Sequence, residues 1–172
     1  MSGVTSQDIS GWAIDTGLSW TAPIDLEPTF TLSYARASED FQQTGLQGNS
    51  WRFRGVTNFK IYGELLEPEL ANLEVATAGL GFPLLTNSSI DFVYHHYRQI
   101  TPRDSLRNTR LKRDPNGVDG DLGQGWDMVL NFRESRRLEI GLVGSLFRAG
   151  DAFGKRSGNL SSRVQLEFTF NF

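Results

Sequence analysis

The sequence predicts an all-β fold, an antiparallel transmembrane β-barrel of which this chain supplies about seven strands, and three observations carry that expectation. Near the end of the chain Val164, Leu166, Phe168, Phe170 and Phe172 alternate with Gln165, Glu167, Thr169 and Asn171, and a period of two places every apolar side chain on one face of a strand. The same alternation recurs along the chain with alternately short and long connections, as in bacterial outer-membrane barrels. Aromatic residues (Trp12, Trp20, Tyr34, Tyr94, Trp126, Phe132 and Phe172) gather near the strand ends, where membrane barrels carry their girdles. The composition, 38% hydrophobic over 172 residues, resembles that of a soluble domain because a barrel strand offers only every second residue to lipid. No apolar run approaches the length of about 18 residues that a membrane helix requires.

The elements follow in order. The first strand, near residues 12–20, sets Trp12, Ile14, Leu18 and Trp20 against Ala13, Asp15, Gly17 and Ser19, and a turn with Pro23 and Pro28 ends it. The second, near 29–37, opposes Phe30, Leu32 and Tyr34 to Thr31, Ser33 and Ala35, and a long polar stretch to about residue 70 reads as loop. In the third, near 72–82, Gly79 and Gly81 blur the two faces and point to a bulge or a close approach, so its facing stays open. Thr86, Asn87 and Ser88 turn the chain into the fourth, 89–99, with Ile90, Phe92 and Tyr94 opposite Asp91, Val93 and His95. A second long loop spans about 101–122. The fifth strand places Trp126, Met128, Leu130 and Phe132 outward and Asp127, Val129 and Asn131 inward; after Glu134-Ser-Arg-Arg the sixth opposes Leu138, Ile140, Leu142 and Leu146 to Glu139, Gly141 and Ser145. A third loop, about 149–160, leads to the terminal strand.

Short connections follow strands one, three and five and long ones follow two, four and six, so the long loops are expected on the extracellular side and Phe172 at the periplasmic rim. Counting back puts Met1 on the outer side. Residues 1–172 then form the C-terminal part of a single barrel domain lacking an odd number of strands, with no separate soluble domain. Alone it would present two unpaired sheet edges, which hydrocarbon does not tolerate. Met1-Ser-Gly-Val-Thr has neither the basic nor the apolar region of a secretory leader, so the outer-membrane location is expected to require residues upstream.

The stretches Phe41-Gln-Gln-Thr-Gly-Leu-Gln, Tyr62-Gly-Glu-Leu-Leu-Glu-Pro-Glu-Leu-Ala-Asn-Leu, Val93-Tyr-His-His-Tyr-Arg-Gln, Leu111-Lys-Arg-Asp-Pro-Asn-Gly and Leu146-Phe-Arg-Ala-Gly-Asp-Ala-Phe-Gly resemble the C-terminal region of the alginate-export outer-membrane porins. The resemblance covers nearly all of the chain in order, and several of these stretches fall in loops, where barrel patterning alone gives no agreement. It implies an eighteen-stranded barrel in the bacterial outer membrane through which a secreted polyuronate leaves the cell past an electropositive constriction. The partners implied are an anionic, alginate-like polysaccharide, outer-membrane lipid and lipopolysaccharide, and periplasmic export machinery. No cofactor and no covalent chemistry are expected.

A polyuronate carries one carboxylate per sugar, and arginine suits it because the guanidinium pairs a carboxylate bidentately and keeps its charge. Arg36, Arg98 and Arg148 each follow an aromatic residue near the outer end of an upward strand. Strict alternation points all three toward lipid, so either a bulge turns them into the lumen as pore arginines or they lie above the hydrocarbon and reach for head groups. Arg163 shares the parity of Gln165 and Glu167 and is expected on the lumen side. Asp15, Asp91, Asp127, Glu139 and Glu167 fall on the polar faces as candidate lumen carboxylates, which would keep a polymer from binding too tightly to leave. His95 and His96 point to opposite faces and cannot share a metal. The basic stretch Arg98, Arg103, Arg107, Arg110, Lys112 and Arg113 could meet polymer or lipopolysaccharide phosphate, while a net charge of −3 argues against nucleic acid. Asp114, Asn116, Asp119 and Asp121 miss the EF-hand spacing. Two alternatives stay open: an outer-membrane barrel enzyme, for instance with His95 beside Ser105, and a soluble β-sandwich binding domain.

Overall fold

The computed structural model describes residues 11–41, 50–52, 58–107, 109–111 and 113–172. Met1, Lys112 and positions 42–47 of the first family-like stretch lie outside the described residues. The strands are β1 (Ala13–Thr21), β2 (Thr29–Ala37), β3 (Ser50–Arg52), β4 (Asn58–Lys60), β5 (Leu73–Leu85), β6 (Ser88–Gln99), β7 (Asp121–Phe132), β8 (Leu138–Ala149) and β9 (Leu160–Phe170). Seven of them form one antiparallel sheet in the order β1-β2-β5-β6-β7-β8-β9. The ribbon β3–β4 lies within the stretch expected to be loop, and three-residue strands are too short to show an alternation. The third connection holds a 3-10 turn, Asp151–Arg156. Among the described residues no helix is long and apolar enough to cross a membrane.

Burial alternates along the central strands and sorts the sheet into two faces. In β6, Asp91, Val93, His95, Tyr97 and Gln99 are buried while Phe92 and Arg98 are exposed; in β7 and β8, Asp127, Val129, Asn131, Val143 and Ser145 are buried. Residues 61–71 fold back across the buried face, which we call inward. On β5 the facing is resolved: Leu73, Val75 and Thr77 point inward and Glu74, Ala76, Leu80 and Phe82 outward, with Gly79 and Gly81 in unbroken register and the irregularity at Pro83–Leu85. A bulge lies on β7, where Tyr97 pairs with Gly123 and Arg98 with Asp121, so that Leu122 is an extra residue. Leu122 fills the inward core, and Gly123 takes a φ of 112°, which only glycine adopts without strain.

The outward face is apolar in a band that descends across the sheet. Its lower limit steps from the pair Trp20–Phe30, to Phe82–Ile90, to Phe132–Ile140, and to Leu138–Phe170. All four lie at successively lower levels of the register, because Trp20, Phe30, Leu80, Phe92, Met128, Gly144 and Val164 share one cross-strand row. The upper limit steps down too, from Ile14 on β1 to Tyr34, to Tyr94 and Trp126, and to Leu146, while on β9 Ser162 ends the continuous apolar run above Val164 and Leu160 stands apart at the level of Arg148. A band that drifts against the register at both edges is what tilted, staggered strands of a barrel require, whereas an upright flat sheet would keep it in one set of rows. Phe92 and Leu146, on strands paired at both edges, are 46% and 48% exposed, and among the described residues no second sheet covers this face, so the soluble-sandwich alternative, which buries this face in a dry core, does not describe the sheet. β1 and β9 each pair on one side only and leave the sheet open at both edges.

Candidate functional site

The inward wall and the chain that crosses it form the site. Gly63 turns the chain at a φ of 94°, with its N–H donating to the Lys60 carbonyl at 2.9 Å. Any Cβ there would collide with the Tyr97 hydroxyl, so glycine is required by both backbone and packing. Past the turn, Leu66 and Leu70 are buried against Leu73, Val75 and Tyr97. The Leu66 carbonyl accepts from the Thr109 hydroxyl at 2.8 Å and the Arg110 N–H at 3.1 Å, while Glu67 pairs with Lys60 at 2.7 Å and with Arg110. The second long loop therefore braces this segment.

Irregular backbone lying on a wall must find partners for its polar groups, and here the partners are side chains of four strands. The Tyr62 hydroxyl donates to Asp15 on β1 at 2.7 Å, and the Tyr97 hydroxyl on β6 donates to the Tyr62 carbonyl at 2.9 Å. The Glu64 N–H donates to Asp127 on β7 at 3.0 Å, and the Arg163 guanidinium on β9 donates to the Glu64 carbonyl at 3.1 Å and also to Gln165. His95, fully buried, sits beneath: its Nδ1 meets the Thr77 hydroxyl at 2.9 Å and its Nε2 lies 3.4 Å from Asp127. Beside Ile61 and Tyr62 a groove of about 690 Å³ runs along β1 and β2, lined by the hydroxyls of Ser19, Thr21, Thr29, Thr31 and Ser33.

Burial pushes the Glu64 carboxyl above the usual range; the Lys60 N–H hydrogen bond opposes this, Asp127 and Glu67 reinforce it, and Arg110 lowers it. Burial, the hydrogen bond to Asp15 and the Asp15 charge likewise hold the Tyr62 phenol above its ordinary value, so it remains a donor. An acid whose pKa is raised on docking supports the docked state fully below its free pKa, and that support is lost as pH rises through the raised value. Cleavage of residues 61–71 by an added protease is therefore expected to increase as pH rises above the free glutamate range. Glu64→Gln should remove that part of the pH dependence, and an unchanged profile in that variant would rule the carboxyl out as its source.

The sequence-predicted residues divide cleanly. Asp15 and Asp127 point inward and are used by the crossing segment; Asp91, 2% exposed, accepts from Ser89 at 3.3 Å. Glu139 and Glu167 share the inward face of β8 and β9 by register, and Arg163 joins them there as the one inward arginine of the seven-stranded sheet. Arg36, Arg98 and Arg148 point outward, which corrects the pore-arginine expectation for these three: the bulge that could have turned one inward falls on β7 and leaves Arg98 between inward Tyr97 and Gln99. Arg36 lies 3.8 Å from Glu74 and over the Trp12 ring, and Arg148 is exposed one row above the upper apolar limit of its strand.

His95 and His96 do take opposite faces, His96 meeting Asp121 at 3.5 Å. His95 faces Thr77 and Asp127 and not Ser105, whose carbonyl accepts from Gln99 at 2.8 Å, so the imagined nucleophile–base pair is not formed. Asn116 and Asp119 spend their side-chain oxygens capping the backbone of Val118, Asp119 and Asp121, and among the described residues no acidic or histidine group could hold a metal. Tyr62, Gly63, Glu64 and Tyr97 were not anticipated as site residues. The parity of Tyr97 with His95 was the signal for one of them, but nothing in a loop's alternation marks the other three.

An open antiparallel sheet with an apolar outer face, a polar inner face and a loop laid across that inner face is part of the wall of a β-barrel. The model of the alginate export family matches residues 1–167, and the chain belongs to that family. It is 27% identical to alginate production protein AlgE of Pseudomonas aeruginosa over 99% of this chain and 39% of that protein. The corresponding protein of Pseudomonas syringae pv. tomato is 25% identical over 97% of the chain and 39% of its own length, and that of Azotobacter vinelandii 30% over 72% and 28%. The chain thus spans about two fifths of the first two relatives.

Proposed function

We propose that this chain is the C-terminal wall of an outer-membrane barrel that passes an alginate-like polyuronate outward without covalent chemistry. The observation that carries the reading is the descending apolar band on one face of a sheet whose other face is polar. Strands of 9 to 13 residues are long enough to span hydrocarbon when tilted. In this reading the long loops and the Arg36, Arg98 and Arg148 level face outward, where the three arginines meet lipid and lipopolysaccharide head groups. The short connections and the C-terminus then face the periplasm and its export machinery.

The wall's own charge refines how anion selectivity would arise. The inward strand faces carry Asp15, Asp91, Asp127, Glu139 and Glu167 against Arg163, so these strands chiefly repel a polyuronate and prevent it from adhering. Attraction falls to Arg163, to Lys60 at the end of β4 and Arg110 on the second long loop, both of which also pair with Glu67, and to the part of the barrel outside this chain. Alternating repulsion and weak attraction lets a polymer advance.

The test uses the full-length protein in planar bilayers. Oligouronates should interrupt the ionic current while neutral glucans of equal length should not; equal block by both would end the polyuronate reading. Arg163→Glu should lower the anion preference severalfold, whereas the charge reversals Arg98→Glu and Arg148→Glu should leave it within error and sensitise cells to detergent. A selectivity loss from the latter pair would place those side chains at the pore after all.

A further inference from the structure

One residue of the crossing segment is held at both of its backbone polar groups. The Glu64 N–H is taken by Asp127 and the Glu64 carbonyl by Arg163, two side chains that stand on β7 and β9 with β8 between them. We infer that residues 61–66 form the element that sets the aperture of the pore, and that Asp127 and Arg163 are positioning residues that fix it there. The inference rests on the conduit reading and says which part of the molecule narrows the conduit.

Four features of the arrangement support it. The anchors come from β1, β6, β7 and β9, so the segment crosses most of the width of the wall and does not simply cap one hairpin. The two peptide units that flank Glu64 each take one side-chain bond, the Gly63–Glu64 unit through its N–H and the Glu64–Leu65 unit through its carbonyl, and together they fix the backbone orientation at this residue. The His95 ring, hydrogen-bonded to Thr77 through its Nδ1, lies against Asp127 with its Nε2 3.4 Å away and limits the room in which that carboxylate can move. Tyr97 closes the end of the segment by bonding Tyr62 from beneath while Gly63 leaves room for its hydroxyl. The strands themselves project mostly small side chains toward the groove beside the segment (Gly17, Ser19, Thr31, Ser33), so among the described residues the large obstruction on this wall is the segment.

The experiment uses the full-length barrel in planar bilayers and reads aperture with neutral polyethylene glycols of graded size, a probe blind to charge. Arg163→Gln and Asp127→Ala should each admit larger polymers and raise conductance severalfold, and the double variant should exceed the larger single effect little, because both bonds serve one residue. An exclusion size unchanged in all three overturns the inference. Should those variants fail to assemble, Ile61→Cys, at a position of the segment that lines the groove, provides the readout in a cysteine-free full-length background, this chain having no cysteine of its own. A bulky, membrane-impermeant thiol reagent should then cut the current stepwise, and full current after complete labelling overturns the inference. Oligouronate block measured on the same channels separates the two readings: block retained without any aperture change sinks this one alone, and a full-length protein that conducts no salt sinks both.

Discussion

Leu142→Arg is expected to destabilise the full-length barrel by about 2–4 kcal/mol, the cost of an arginine on the lipid face near mid-depth. Leu142 stands on β8 in the outward row Phe82, Ile90, Leu130, Leu142, Leu166, with apolar neighbours directly across on both sides. A guanidinium there has no partner on either adjacent strand, and the row above it, from Trp20 to Val164, is also apolar. Thr169→Arg supplies the contrast. Thr169 lies on the inward face of β9 opposite Glu139, so the same side chain enters a watered space beside a carboxylate and should cost under about 1 kcal/mol, as exposed surface changes do. Unfolding by urea from lipid vesicles measures both. Equal losses at the two sites would mean that the sheet does not separate lipid from water, and the barrel reading would fail with it.

The face assignments behind that contrast were legible in the sequence because lipid and water impose opposite demands on successive residues. Alternation at Leu130 and Phe132, or at Phe168 and Phe170, is therefore strict, and β2 runs over the residues anticipated for it. Legibility fails where the demand lapses. On β5, Ala76, Ala78, Gly79 and Gly81 are too small to declare a side, and only pairing with β2 and β6 decides it. For the arginines, parity alone indicated the outward face of Arg36, Arg98 and Arg148; the pore reading depended on an irregularity that local sequence does not encode. The bulge at Leu122 went unread because an inserted residue shifts the alternation phase, and it occurs where the loop's own pattern had already dissolved. The crossing segment is hidden for a different reason. Its partners Asp15, Tyr97, Asp127 and Arg163 are spread through most of the chain, the bond from Arg163 to Glu64 joining residues 99 positions apart, and a loop carries no period from which such meetings can be inferred.

That dependence on distant contacts makes Tyr97 the residue whose loss should release the segment most completely. Its side chain is 1% exposed, stacks on His95 at 5.7 Å between ring centres, packs against Phe147 at 6.1 Å, and donates to the Tyr62 carbonyl. Tyr97→Phe removes only the hydroxyl and leaves that carbonyl without this donor, an expected cost of about 1–2 kcal/mol. Tyr97→Ala adds the cavity of a missing ring, and large aromatic truncations in packed sites cost about 3–5 kcal/mol. The penalty should fall locally, because the ladder bonds of β6 to β5 and β7 are made by backbone and survive the substitution. Hydrogen exchange on the full-length protein in detergent is thus expected to show residues 61–71 losing protection in Tyr97→Ala while amides of β6 and β7 keep theirs. Gly63→Ala should reproduce the same local pattern from the other side of the contact, since its methyl group and the Tyr97 hydroxyl compete for one space at a backbone angle that alanine resists. Uniform loss of protection across β6, β7 and the segment would instead show that Tyr97 stabilises the sheet as a whole, and that the segment has no independent docking equilibrium.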